Sequence, residues 1–276
     1  MVAQSVPGTG RRDREDTMRK APRFQSLRVI SALMIREMIT RYGRSAGGYI
    51  WALLEPIGMI AILTLAFSQF IRVPPIGESF AFFYATGYVP FHLYSEIAGN
   101  TSNAVHLNRT LMQFPMVSPL DAILARFMLS VLTLIVVTLI VFTGISIIVD
   151  EPVRAQLGPL LSALGCAALL GLGIGTLNTV LFSFFPIWRQ LWLIINRPLF
   201  IVSAVFFTFE SMPSHIQALL WWNPLVHVVG QVRVAFYPVY EGAYISLGYV
   251  LAIAFGTFIL GAALLARHKT YIIENE

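Results

Sequence analysis

IREMITRYGRSAGGYIWALLEPIGMIAIL, residues 35–63, is the stretch that decides the fold. Its first half carries Arg36, Arg41 and Arg44, and its second half is an apolar run broken only by Glu55 and Pro56. Between them Gly47 and Gly48 give the backbone freedom to turn. Dense positive charge set directly against a membrane-ready segment marks a chain that lies on one face of a bilayer before crossing it.

The whole chain supports a membrane setting. Of its 276 residues 57% are hydrophobic and only 12% charged, and the mean hydropathy is +0.72. An ordinary soluble domain carries about a quarter charged residues. Residues 1–23 are polar, with Gly, Pro and both charge signs, and lack the apolar core of a secretory signal; they read as a disordered cytosolic tail. One cysteine, Cys166, excludes an internal disulfide.

Crossing roughly 30 Å of hydrocarbon takes about 20 apolar residues as a helix. Residues 49–71, 80–98, 120–149, 159–185 and 246–266 meet that length, and 191–209, which includes Asn196 and Arg197, makes a shorter sixth. The expectation is an all-α polytopic membrane protein with six transmembrane helices over residues 47–266. With both termini in the cytosol, all of the 19 basic residues except Arg72, Arg154 and Arg233 lie inside. Topology thus accounts for the basic pI without nucleic acid. Arg126 and Arg197 lie near the cytosolic ends of their spans, where they are expected to snorkel. Residues 267–276 form a cytosolic C-terminal tail.

Residues 24–46 read as an amphipathic interfacial helix. Leu27, Ile30, Met34, Met38 and Tyr42 make one stripe, with Arg36, Thr40 and Arg44 opposite and Val29 and Leu33 misplaced on the polar side. Such a helix either merely orients the chain or also touches acidic headgroups and a cytosolic partner, and the pattern leaves both open.

Catalytic signals are lacking. GLGIGT, residues 171–176, sits inside an apolar span with no preceding strand, so it reads as a helix-packing motif rather than a phosphate loop. His92, His106, His215, His227 and His268 are scattered; His92 and Glu96 share a helix face, but two ligands do not make a metal site. A secondary transporter would show an internal repeat and mid-membrane ionisable groups. A glycan-synthesis enzyme would show a clustered acid, base or metal motif. Neither pattern stands out.

REMITRYGRSAGGYIWALLEP (residues 36–56) and LLWWNPLVHVVGQVR (residues 219–233) resemble the matching segments of capsule polysaccharide export permeases, the KpsM-type membrane subunits of the ABC-2 exporter superfamily. The resemblance runs from about residue 28 to residue 267 and includes the order of interfacial helix, six spans and a long loop before the last; within that loop residues 216–222 and 225–236 are too short to span and read as re-entrant or interfacial helices. It implies a coupling loop at about 101–119 that docks on a cytosolic ATPase, with Val105, Leu107, Asn108, Arg109, Leu111 and Phe114 as the candidate surface. It also implies an external gate at about 209–245, with Trp221, Trp222, Asn223, Pro224 and Arg233 as candidates. Where many members carry an acid this chain has Gly230, so that interaction does not transfer.

The implied assembly is a homodimer above two ATPase subunits in the bacterial inner membrane, working with a periplasmic adaptor and an outer-membrane polysaccharide export protein. No GxxxxGK[ST] occurs in the sequence, so ATP and Mg belong to the partner; this chain is expected to bind no cofactor or metal. The implied substrate is a lipid-linked polysaccharide, with Arg36, Arg41 and Arg44 drawn to its phosphate. Tyr84, Tyr88, Phe91 and Tyr94 are candidate pathway aromatics. O-antigen, teichoic acid, lipid or a drug would be alternative cargo for the same architecture.

Overall fold

A computed structural model of the chain describes residues 25–42, 48–112, 117–149 and 155–275. Among these the regular structure is entirely helical: α1 (Gln25–Tyr42), α2 (Gly48–Ser68), α3 (Phe80–Ser102), α4 (Ala104–Leu107), α5 (Arg109–Met112), α6 (Pro119–Val149), α7 (Leu157–Phe184), α8 (Pro186–Val202), α9 (Ser214–Leu220), α10 (Pro224–Phe236), α11 (Leu247–Arg267) and α12 (Lys269–Asn275). A 3-10 turn at Phe209–Ser211 precedes α9.

The starts of these helices follow local chemistry. Ser118 opens α6: its hydroxyl accepts from Leu120 N–H at 3.3 Å, its own N–H donates to Asp121 Oδ2 at 3.0 Å, and Pro119 takes the first helical position. Ser79 and Ser246 cap α3 and α11 in the same sense.

Ile50–Ser68, Pro119–Val149, Leu157–Phe184 and Leu247–Arg267 are long and apolar enough to cross a membrane. The other two expected spans differ from that standard in opposite ways. α3 has 23 residues, of which 17 are buried, and it carries Gly87, Pro90, His92, Glu96 and Asn100; it is the hub of the bundle. α8 begins at Pro186, earlier than hydropathy suggested, because Pro fits the first helical turn. Its 17 residues reach only about 26 Å, and none of them is buried.

The centre is a sandwich of α3, α7 and α11, and GLGIGT sets its spacing. A Cβ on Gly171 would meet Ile97 and the Tyr94 carbonyl oxygen at 2.9 Å, and one on Gly175 the Ala98 carbonyl oxygen at 2.8 Å, both on α3. Gly173 points the other way, against Ala254 and Thr257 of α11, while Gly261 of α11 returns the contact against Leu177. The packing role expected of this motif is what the structure has: missing side chains let three backbones approach closely.

At one end of the sandwich α1, α4, α5 and α12 cluster around Ile30, Leu33, Val105, Ile123, Leu265 and Ile272. The other end carries α9, α10 and the 237–246 connection. Residues 267–276, expected as a tail, contain α12, which is anchored by fully buried Ile272 and by Tyr271 stacked on Phe184 at 5.0 Å. Arg267 itself closes α11. The expected tail at 1–23 lies outside the described residues.

Candidate functional site

Polar chemistry concentrates at the two ends of the bundle. At the α1 end, α1 lies across the starts of α6 and α4. Its buried seam is rotated from the predicted stripe: Ile30 and Leu33 face inward, while Met38 is exposed. The reason is Glu37, which forms an ion pair with Arg126 of α6, both side chains being nearly enclosed. Arg126 Nη1 also donates to the Asn100 carbonyl at 3.2 Å, so this arginine is clamped rather than snorkelling. Asn100 Nδ2 donates to Ser130 Oγ at 3.0 Å and to Glu96 Oε2 at 3.3 Å. Arg36 Nη1 donates to Asn108 Oδ1 at 3.2 Å, tying α1 to the turn between α4 and α5. Arg36, Glu37, Asn100, Asn108 and Arg126 line a polar cavity of about 330 Å³.

The expected coupling helix is two four-residue turns broken at Asn108. Val105 is fully buried, and Asn108 is 6% exposed and donates to the Ala104 carbonyl at 3.0 Å. Both hold the turn and offer no surface in this conformation. Leu107, 58% exposed, and Arg109 face outward, and Leu111 is half-buried against the α1-end cluster. Phe114, Arg44 and the side chain of Arg41 lie outside the described residues.

The four pathway aromatics all line α3, but in the single chain Tyr84, Tyr88, Phe91 and Tyr94 are buried. Tyr88 stacks on His92 at 5.4 Å, and Phe91 and Tyr88 both contact Phe200 of α8. They pack α2 and α8 onto α3 and present no open stacking face here.

At the α10 end the decisive group is Arg233, which is completely buried. No carboxylate pairs with it within salt-bridge reach among the described residues. Its guanidinium donates instead to the carbonyls of Phe207 at 2.7 Å and Val205 at 3.3 Å and lies over the Phe83 ring at 4.5 Å. Those carbonyls belong to the non-helical backbone after α8, where Ala204 adopts φ 60°. Buried backbone freed from a helix needs internal partners, and Arg233 supplies them. Gly87 lets the segment lie flat, since a Cβ there would meet the Val205 carbonyl oxygen at 2.9 Å.

Asn223 caps α10, accepting from Leu225 N–H at 3.0 Å while donating to the Val202 carbonyl and Ser203 Oγ at 3.2 Å each. Pro224 takes the first helical turn. His227, fully buried, donates from Nε2 to the Trp221 carbonyl at 2.8 Å and accepts at Nδ1 from Ser246 N–H at 3.2 Å. That pattern requires the neutral ring, and burial pushes its pKa below the usual value. The hydroxyl of Tyr244 covers Gly230 and pairs with Tyr240 at 3.0 Å. Burial pushes the Tyr244 phenol up to about 12 and Tyr240 higher still. Trp221 is half-buried and donates to the Tyr244 carbonyl, whereas Trp222 is 68% exposed.

Sequence reading missed Glu37, His227 and the carbonyls held by Arg233. Only Glu37 had a local signal, as an acid on the side of α1 that also carries the out-of-place Leu33.

Residues 28–237 match the ABC-2 type transporter family. The chain belongs to that family. This ABC-2 chain is 31% identical over 246 residues to the Polysialic acid transport protein KpsM of Escherichia coli, covering 89% of this chain and 95% of the relative. It is 27% identical over 242 residues to the Capsule polysaccharide export inner-membrane protein CtrC of Neisseria meningitidis serogroup A, covering 87% and 91%. With the Capsule polysaccharide export inner-membrane protein BexB of Haemophilus influenzae the identity is 25% over 236 residues, covering 85% and 88%.

Proposed function

We propose that this chain is the permease subunit of an ATP-driven exporter that moves capsule-type, lipid-linked polysaccharide across the bacterial inner membrane. The observation carrying this reading is its 31% identity, over nearly the full length of both chains, to a polysialic acid transport protein. In this reading α3 and α8 complete six spans, the α1 end faces the cytosol and the α10 end the periplasm. ATP and Mg sit on two separate ATPase subunits, and a periplasmic adaptor and an outer-membrane export protein continue the route.

The exposed polar groups of α2 and α8 favour a homodimer with the path between two copies. Glu55, Gln190 and Arg197 point out of the single chain from otherwise apolar helices. Because α8 starts at Pro186, Arg197 lies about 16 Å along it rather than near the cytosolic end as expected, and each charge left against lipid near mid-bilayer costs about 2.5 to 3.5 kcal/mol or more. A second copy enclosing water removes that cost. Closure of the ATPases pushes on Leu107 and Arg109; the Asn108–Arg36 bond and the Asn100–Arg126–Glu37 chain pass the push to α1 and α6. Arg36 is also the described candidate for attracting a phosphate, although it is already bonded to Asn108.

Deleting the gene in its host and measuring surface and intracellular polysaccharide tests the proposal. Polymer trapped inside the cell, with export restored by a plasmid copy, is the expected result. Unchanged surface polymer refutes capsule-type cargo and turns to another ABC-2 substrate.

A further inference from the structure

Most charged side chains in the body of the spans are compensated within one chain. Arg126 pairs with Glu37, Glu96 accepts from Asn100, Arg189 lies over the Phe182 ring at 5.2 Å, and Arg233 holds the carbonyls of Val205 and Phe207. Glu55 of α2 and Arg197 of α8 differ. Both are exposed, and among the described residues neither has an opposite charge within ion-pair distance.

The two charges lie at similar depth. α2 and α8 both begin at the α1 end, and Glu55 is about 10 Å along the first and Arg197 about 16 Å along the second. α3 gives an independent gauge: Glu55 acts electrostatically on Tyr88 and His92, while Asn196, next to Arg197, donates to Ser95 Oγ at 2.8 Å. The long arginine side chain covers the remaining offset. Each charge also sits in a stripe with alternating steps of three and four residues, Glu55, Gly58 and Ile62 on α2 and Ile194, Arg197 and Ile201 on α8, the spacing of a helix–helix seam. A Cβ on Gly58 would meet nothing within 4 Å, which leaves room for a second helix to approach α2 closely.

Charge selects how two copies meet. A symmetric contact of α2 with its own copy sets Glu55 against Glu55, and one of α8 with its own copy sets Arg197 against Arg197; both put like charges together where lipid already penalises each. Setting α2 of one copy against α8 of the other cancels both charges, and two-fold symmetry makes that contact twice. We propose that Glu55 of each copy forms an ion pair with Arg197 of the second copy, seating α2 of one subunit against α8 of the other at two equivalent seams. The pair rests on the homodimer proposed above, names the charges that specify it, and is independent of the cargo.

The full chain, carrying a fluorophore at its C-terminus, is reconstituted in phosphatidylethanolamine–phosphatidylglycerol vesicles, and subunits per particle are counted by single-molecule photobleaching. Glu55→Arg or Arg197→Glu alone should lower the dimer fraction by about tenfold or more, because each creates two like-charge contacts. Both substitutions in one chain should restore it. Cross-linking gives a second reading that stands even if a charge variant fails to accumulate. On a Cys166→Ser background, chains with Glu55→Cys and differently tagged chains with Arg197→Cys are co-expressed and treated with a short bis-methanethiosulfonate reagent. A covalent product bearing both tags is expected, with none from either chain expressed alone. A dimer indifferent to both single variants, a swap that does not restore it, or Glu55→Cys cross-linking only to its own copy overturns the ion pair and leaves the homodimer standing. A monomeric parent protein overturns both, whereas the cargo is decided by the gene deletion alone.

Discussion

Replacing Arg233 by Met keeps the length of the side chain and removes its donors, so it isolates what the guanidinium contributes. The carbonyls of Val205 and Phe207 lose their buried partner, at about 1 to 3 kcal/mol each. Loss of the contact over Phe83 adds about 0.5 to 2 kcal/mol. Against this stands relief from burying a cation with no carboxylate beside it, worth a few kcal/mol. A net loss of about 3 kcal/mol is expected, which is roughly a hundredfold shift in a local opening equilibrium. Hydrogen exchange of the purified protein should then quicken about a hundredfold in peptides covering 203–209, with α7 unchanged. Arg233→Lys should fall between, because one ammonium lacks the planar fork that spans two carbonyls. Unaltered exchange over 203–209 in Arg233→Met would refute the claim that this side chain holds the backbone.

Because the folded pKa of His227 lies below its unfolded value, the unfolded chain binds the extra proton as pH drops under about 6.5. Stability should therefore decline by up to about 1.4 kcal/mol per pH unit from there down to the folded pKa, and the slope should flatten in His227→Gln; a midpoint independent of pH from 7 to 5 in the parent protein would contradict this. Glu37→Gln strips the counter-ion from nearly enclosed Arg126 and should destabilise the α1 end by about 3 kcal/mol, read as faster proteolysis within α1, with the swap Glu37→Arg plus Arg126→Glu recovering part of it. Gly175→Ala should prevent stable insertion, since its Cβ would press into the Ala98 carbonyl, whereas Gly165→Ala on the same helix should be silent in expression and melting measurements. Leu107→Asp, at an exposed position, should stop export and leave the amount of permease in the membrane unchanged.

Much of the helix order was legible because apolar runs and their punctuation are local. The ends of α2, α6, α7 and α11 lie within a few residues of the expected spans, and GLGIGT announced close packing by its composition. What was not legible depends on partners far along the chain. Leu33 looks misplaced until Glu37 finds Arg126, about ninety positions away in sequence. Val105 and Asn108 look like surface residues of a helix until the turn breaks and folds them inward. α8 disguised its start because Arg189 and Gln190 dilute the hydropathy, and its end because the backbone is bent away by Ala204 and caught by an arginine on α10. Among the gate candidates, Asn223 and Pro224 followed local capping rules, while the task of Arg233 appeared only once 203–208 was placed beside it.

The glycines of α7 have a mechanical consequence. Because Gly171 and Gly175 close one seam and Gly173 the opposite one, α3, α7 and α11 have no slack on either side: sliding α7 along its axis would drive the neighbouring carbonyls into its glycine-lined backbone. The trio is a chassis. α2 and α8 have no comparable interlock, α2 being largely uncovered and α8 having no buried residue. Low-cost displacement therefore belongs to the perimeter, where α2 and α8 swing about a fixed keel rather than bending the keel itself.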